Sequence, residues 1–367
     1  MITKVSFRSF KSLREVDIDF TSRLTVLVGP NASGKTSVLQ GISLIAGEFD
    51  ANGWKVIQSS LVSRLPNAGS EMNIDVQFVL RGKRGQISTV SERMQTLRLR
   101  RHYLKIHSSK ADDRDFPLAR IGTESAVMRF DATALAKSSS VEGAFPDATP
   151  ELAADGFGLA SVLAHIATSD PSRFSMILES LRKVIPLSKQ VRLLPTEVDT
   201  IVQTSDPSGD LYSEPRRIRG SRLAFDFVGA QKVPADQVSE GTLLVLGWLT
   251  AVMAYEGRWL FLLDDIDRGL HPKAQRELVG ILRKLLEQNP NYQIIATTHS
   301  PYLLDLLAPE EVRIVTAAED GATLCGTLME HPEFERWKDL MLPGEMWSTV
   351  GEEWLRERRT KRHDVAQ

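Results

Sequence analysis

The stretch Gly29-Pro30-Asn31-Ala32-Ser33-Gly34-Lys35-Thr36 sets two glycines, a lysine and a hydroxyl at the spacing G-x-x-x-x-G-K-[ST]. That spacing suits a polyphosphate. Glycines let backbone N–H groups close around phosphate oxygens, and the start of a helix adds a favourable dipole. Lys35 then meets the outer phosphates, Thr36 offers a hydroxyl to magnesium, and Ser37 ends the loop. A glycine-rich turn that merely starts a helix would not require the Lys-Thr pair.

Three further segments carry chemistry. Leu260-Phe261-Leu262-Leu263-Asp264-Asp265 is an apolar run ending in two carboxylates. Beside a phosphate loop, Asp264 can hold the hydration shell of magnesium while Asp265 orients or deprotonates an attacking water. The competing reading is a pair of capping aspartates ahead of a helix that begins near Pro272. Ser239-Glu240-Gly241 precedes an apolar stretch, where a hydroxyl and backbone N–H groups can face an anion, or where Ser239 and Thr242 can simply cap a helix. Ile294 to Thr298 leads to His299, either a contact for a γ-phosphate or lytic water, or a strand-end histidine with a satisfied hydrogen bond.

The elements that position these groups follow from periodicity. Ile2, Val5, Phe7 and Phe10, then Val16, Ile18 and Phe20, alternate with polar residues as in an edge hairpin. Leu24 to Val28 reads as a buried strand running into the phosphate loop, and Val38 to Ala46 as the helix behind it. Alternation at Ile74, Val76, Phe78 and Leu80, with further strand candidates at Leu97 to Ile106 and Ala126 to Phe130, predicts a small antiparallel layer. Residues 132–157 read as a loop, followed by helices at Leu159 to Thr168 and Arg173 to Val184. An α/β rhythm then returns: a strand near Phe225, a helix after Gly241, the strand Trp259 to Leu263, the helix Lys273 to Glu287, the strand Gln293 to Thr297, and a last strand near Val312 to Val315. Such alternation implies a parallel sheet. The charged tail after Trp354 reads as a fraying end.

Composition bounds the rest. With 42% hydrophobic and 25% charged residues among 367, the chain is that of a globular protein able to bury a substantial core. Lys plus Arg at 45 against Asp plus Glu at 47 gives a net charge of -2, so any nucleic-acid contact must come from a local patch. Arg81, Lys83, Arg84, Arg93, Arg98, Arg100, Arg101 and Lys105 against Glu92 form one candidate, with a solvated strand face as the alternative. A single cysteine, Cys325, excludes an internal disulfide framework. With no apolar leader at Met1 and no apolar run long enough to span a bilayer, the expectation is a cytoplasmic protein without a membrane contact.

In order, Gly29 to Thr36, Ser239-Glu240-Gly241, Leu260 to Asp265, Gly269-Leu270-His271-Pro272 and Thr298-His299-Ser300-Pro301 resemble the ATPase heads of the RecF, SMC and OLD group. More narrowly, Phe7 to Phe10, the Asp155-Gly156 turn and the absence of long arms look like the small AAA-type ATPases of bacterial defence and toxin-like loci. The resemblance implies an α/β fold, a P-loop NTPase of ABC-ATPase type with an antiparallel β layer and a helical insertion. It implies a head built from residues 1–50 and 223–318, an inserted subdomain over 51–222 and an extension over 319–367. It implies ATP and Mg2+ as cofactors: ATP on Gly29 to Ser37, magnesium on Thr36 and Asp264, and Asp265 and His299 as catalytic groups. Ser239, Glu240 and Gly241 of one subunit would complete the site of another, so a homodimer is expected. Where this chain has Asp265 the family usually has glutamate, which puts the turnover rate in question. The magnesium-contacting glutamine of such heads has two candidates by position, Gln77 and Gln86.

The function so implied is a dimerisation switch that hydrolyses ATP and controls a separate nuclease or toxin effector in antiphage defence or DNA maintenance. Alternatives are a DNA repair or recombination ATPase that binds nucleic acid, and an ATPase subunit of a nuclease or toxin complex. A self-contained nuclease would need a further module, and a clamp would need heptad arms between Thr36 and Ser239; neither pattern is present. Arg101 with His107 approaches the spacing of some HEPN ribonucleases, but that motif needs a helix and this segment alternates like a strand.

Overall fold

The computed structural model describes residues 1–46, 54–56, 73–80, 83–92, 98–104, 126–140, 149–205, 211–255 and 258–365. The chain forms two compact units: residues 1–127, 257–267 and 282–367, and residues 128–256 and 268–281.

In the first unit, the alternating N-terminal residues build the antiparallel hairpin of β1 (Ile2–Phe10) and β2 (Leu13–Asp19). Val5 lies opposite Ile18 and Phe7 opposite Val16, and all four are buried. With β4 (Trp54–Val56), β5 (Asn73–Leu80), β6 (Lys83–Glu92) and β7 (Arg98–Leu104) the hairpin makes a six-stranded antiparallel sheet, in the order β2-β1-β5-β6-β7-β4. β6 was not foreseen. Gln77 and Gln86 face each other in this sheet as a β5–β6 pair.

The other sheet of this unit is mainly parallel. It contains β3 (Leu24–Val28), β13 (Leu260–Leu263), β14 (Gln293–Thr298), β15 (Val312–Ala317) and β16 (Thr323–Thr327), with β8 (Val127–Met128) at one edge. The order is β16-β15-β3-β14-β13-β8. β3, β13 and β14 are buried along their whole length, which is why each reads as an unbroken apolar run. α1 (Lys35–Ala46) packs Val38, Leu39 and Ile42 into one core with Phe7, Phe10, Leu27, Ile74, Ile295 and Val315. Each such side chain contributes about 1.5–3 kcal/mol of burial. β16 corrects the expectation that the sheet ends near Val315: it pairs antiparallel with β15, Val315 opposite Cys325.

The second unit holds α2 (Ala132–Ala136), β9 (Ser139–Ser140), α3 (Leu159–Ser169), α4 (Pro171–Val184), β10 (Ser188–Ser205), β11 (Leu211–Phe227), β12 (Ala230–Pro234) and α5 (Glu240–Met253). α2 corrects the loop expected over 132–157, because the Asp131 carboxylate caps it by accepting from Thr133 N and Ala134 N at 2.9 and 3.1 Å. α5 is buried from Gly241 to Val252, as its apolar run implies. The β10–β11 hairpin pairs continuously from Gln190 opposite Asp226 to Ser205 opposite Leu211, far more strand than the one element expected near Phe225. α6 (Pro272–Gln288) is divided between the two units.

The first unit also holds α7 (Pro301–Leu304), between β14 and β15, and beyond β16 it adds α8 (Phe334–Trp337), α9 (Pro343–Val350) and α10 (Glu353–Val365). α10 replaces the expected fraying tail. Three of its arginines have fixed acceptors: Arg356 on Ala317 O, Arg358 on Glu330 and Arg359 on Asp320. Of the candidate basic patch, Arg81, Arg93 and Lys105 lie outside the described residues, while Lys83, Arg84, Arg98, Arg100 and Arg101 fall on β6 and β7. Among the described residues no helix is long and apolar enough to cross a membrane.

Candidate functional site

β3 delivers the chain to Gly29 between its parallel neighbours β14 and β15. At Gly29 (φ +153°) a Cβ would fall 1.8 Å from Val315 O, and at Gly34 (φ +104°) one would fall 2.2 Å from Thr323 Oγ1. Only glycine fits either place. Pro30, Asn31 and Ala32 are exposed, whereas Ser33 and Lys35 are buried. Lys35 opens α1, and its Nζ folds back to donate to Gly29 O and Pro30 O at 2.9 and 2.8 Å. Burial pulls the Lys35 ammonium below its ordinary value, and the charges of Asp265, Asp264, Asp267 and Glu352 oppose that fall.

The far end of β13 meets this loop. Thr36 Oγ1 lies 2.9 and 3.2 Å from the two carboxylate oxygens of Asp264, which is 1% exposed. Thr297, at the end of β14, donates its hydroxyl to Asp264 Oδ1 at 2.6 Å and accepts from Asp265 N at 2.8 Å. Asp265 adopts left-handed backbone (φ +58°). Its Oδ1 stands 3.8 Å from His299 Nε2, an ion pair only when the imidazole is protonated. Asp267 Oδ1 accepts from Thr298 Oγ1 at 2.7 Å and from His299 N at 3.2 Å, and Ile266 N donates to Thr297 O at 3.1 Å. The turns after β13 and β14 are therefore laced together. Gly29 to Ser37, Asp264, Asp265 and His299 come together in one unit, as their proposed roles require.

Ser239, Glu240 and Gly241 lie in the second unit, at the start of α5. Ser239 is the N-cap residue, yet its side chain makes no cap bond; its hydroxyl pairs with Thr242 Oγ1 at 2.8 Å. Ser239 and Glu240 are exposed, and Glu240 pairs with Arg268 at 2.8 Å.

Sequence reasoning missed three residues. Thr297 and Asp267 hold the Asp264–Asp265 and His299 backbones as described. Thr323 Oγ1 reaches Ser33 O at 3.0 Å and Ser12 Oγ at 2.8 Å, and Thr323 N donates to Ser12 O at 2.8 Å, bracing the phosphate loop from β16 and the β1–β2 turn. Asp267, three residues past Asp264, was the legible one; Thr323 follows only from the fold.

A group of three or more His, Cys, Asp or Glu side chains able to hold a metal is absent among the described residues. Magnesium needs fewer, one or two carboxylates with phosphates and water. The adjacent oxygens of Thr36 and Asp264 fit that donor set.

The family described as "AAA domain, putative AbiEii toxin, Type IV TA system" matches residues 24–305, from β3 through the His299 turn. The chain belongs to that family. The phosphate loop, the Ser239 segment, β13 and β14 all fall within the matched AAA-domain region, in agreement with the resemblance drawn from the sequence. Among curated relatives, the chain is 23% identical over 341 residues to Septu protein PtuA of Bacillus mycoides (strain KBAB4), covering 87% of this chain and 41% of that one. It is 23% identical over 384 residues to the OLD nuclease of Thermus scotoductus (strain ATCC 700910 / SA-01), covering 90% of this chain and 65% of that one. The chain thus spans less than two thirds of the length of these relatives. Among solved structures it is similar to the SMC head domain from Thermotoga maritima, with a TM-score of 0.48 and 15% identity over 89% of this chain and 98% of that one.

Proposed function

We propose that this AAA-domain chain binds ATP with Mg2+ and hydrolyses it, and that it works as a dimerisation switch acting on a separate nuclease or toxin effector. The observation that supports the reading best is the contact of Thr36 with Asp264, which sets a loop hydroxyl and a buried carboxylate side by side at the end of two parallel strands. Gly29 to Ser37 hold the phosphates, Lys35 turning from the Gly29 and Pro30 carbonyls to the outer phosphates. Thr36 and Asp264 hold magnesium, which when bound neutralises charge on those phosphates. Asp265 orients the attacking water and accepts its proton, and His299 contacts the terminal phosphate. Ser239, Glu240 and Gly241 of a second copy close over that phosphate, so that two heads share two sites. Hydrolysis removes the bridging phosphate and releases the pair.

The nuclease in the name of one relative and the toxin in the family's description support a nuclease or a toxin as the kind of effector. The test is light scattering of the full chain with Mg2+ and ATPγS, ADP or no nucleotide. The reading expects dimers with ATPγS alone, and a mass that ignores the nucleotide counts against it.

A further inference from the structure

The second unit holds a cleft of about 620 Å³, inside the range of roughly 300–1,000 Å³ in which proteins hold small ligands. Its walls are α2, the strands β11 and β12, the short helical turn Ala235–Gln237 and the first turn of α5. Leu223, Ala235 and Leu243, each at most 3% exposed, give it an apolar floor. Of its lining residues only Glu240 enters the site described above.

The charges around the cleft are not all matched. Glu240 is held by Arg268 at 2.8 Å, and the Asp131 carboxylate before α2 is occupied by the amides of Thr133 and Ala134. Lys137, the C-terminal cap of α2, and Arg222, opposite Leu194 in the β10–β11 ladder, both line the cleft and are both exposed. Neither side chain has a hydrogen-bond or ion-pair partner among the described residues. Asp236, on the Ala235–Gln237 turn, is the one lining carboxylate left to oppose them. Two cations against one carboxylate, above an apolar floor, suit a ligand that is anionic at one end and apolar in its body.

We propose that this cleft binds a small organic anion, a carboxylate, sulfonate or phosphate monoester on an apolar body. Lys137 and Arg222 take the anionic group, and Leu223, Ala235 and Leu243 pack against the body. The occupant also reaches the segment that the dimerisation reading uses, because Val238 and Glu240 line the cleft on either side of Ser239. A ligand there restrains both neighbours of the residue proposed to face the phosphate of a second copy. By reciprocity, occupancy and ATP-driven closure then shift each other. This consequence, unlike the binding itself, rests on the dimerisation reading above.

The test uses the full chain and two fluorescent probes of one shape, anilinonaphthalenesulfonate and its uncharged counterpart anilinonaphthalene. The sulfonate should bind wild type saturably, and Lys137→Gln with Arg222→Gln should weaken it roughly 10-fold or more while the uncharged probe changes little. Lys284→Gln, an exposed cation outside the cleft, should leave both probes unchanged. Ala136→Trp, which fills the cleft from α2, should abolish both. Sulfonate binding that is the same in the double glutamine variant, or that falls no more than binding of the uncharged probe, is adventitious and overturns the site. For the link to Ser239, saturating sulfonate should move the ATPγS midpoint of wild-type dimerisation in light scattering by roughly 5-fold or more, and should not move that of Ala136→Trp. An unmoved wild-type midpoint overturns the link. Absence of wild-type dimers with ATPγS is a different result: it removes the dimerisation reading and the link with it, and leaves the probe result to decide the site.

Discussion

Thr36 and Asp264, 228 positions apart in the chain, meet at 2.9 Å, and Thr297 closes on the same carboxylate from the next strand. A carboxylate that is 1% exposed and tied to two hydroxyls is set in direction before any ligand arrives. Such preorganisation is what a metal-phosphate site needs, because the cost of ordering is met in folding.

Lys35→Ala should abolish ATP binding without unfolding the chain. The ammonium donates to the Gly29 and Pro30 carbonyls, and Pro30 lies at the exposed rim of the loop, where its carbonyl can turn to water. Loss of a charge-assisted contact to the outer phosphates should weaken a fluorescent ATP analogue roughly 100-fold or more. Unchanged affinity, with unchanged thermal melting, would remove the site assignment.

Asp267 gives a cleaner test of positioning. Its carboxylate fixes Thr298 and the His299 backbone, so Asp267→Ala should lower kcat by roughly 10-fold or more while the KM for ATP moves little. Asp267→Asn keeps an acceptor oxygen and should recover most of the rate. Equal losses in both variants, or a loss confined to KM, would show that the residue does not act through His299.

Ser239→Arg should leave ATP binding intact and prevent ATP-dependent dimers. Ser239 is exposed and makes no cap bond, so the larger side chain is accommodated within its own unit. Gly241→Asp is a poorer probe, because a Cβ there would lie 2.5 Å from Gly269 O and disturb the unit itself. Normal dimerisation of Ser239→Arg with ATPγS in light scattering would refute the shared site.

The parts of the fold that the sequence made legible are those with a buried run or a continuous buried face. β3, β13, β14, α5 and α6 announce themselves by apolar runs or helical periodicity, and their bounds fall within a few residues of expectation. β10 and β11 were hidden because an exposed hairpin is held by cross-strand pairs, such as Arg217 with Asp199 at 2.9 Å, that neither strand reveals alone. α10 was read as a fraying tail for the same reason: the partner of Arg359 is Asp320, 39 residues away. At the site, the groups proposed to touch phosphate or water were legible from motif spacing, and Asp267 stands three residues past Asp264, while Thr297 and Thr323 show no signal beyond ordinary polar residues at strand ends.

Asp265 decides the central claim, that this chain hydrolyses ATP at the junction of β3, β13 and β14. Its backbone at φ +58° is one that asparagine tolerates, so Asp265→Asn should fold and bind ATP. If Asp265 orients the water, that variant loses roughly 10²–10⁴ in rate and accumulates as ATP-bound dimers, since the neutral amide cannot accept the water's proton. Asp265→Glu distinguishes the alternative: should the aspartate be too short to act, wild type is already slow, the asparagine form matches it, and the glutamate form is faster. The deciding measurement is the steady-state ATPase rate of wild type, Asp265→Asn and Asp265→Glu, with ATP affinity determined on the same samples. The expected result is hydrolysis by wild type and near-complete loss in the asparagine form at unchanged affinity. Hydrolysis by the asparagine form at the rate of an active wild type would contradict the account.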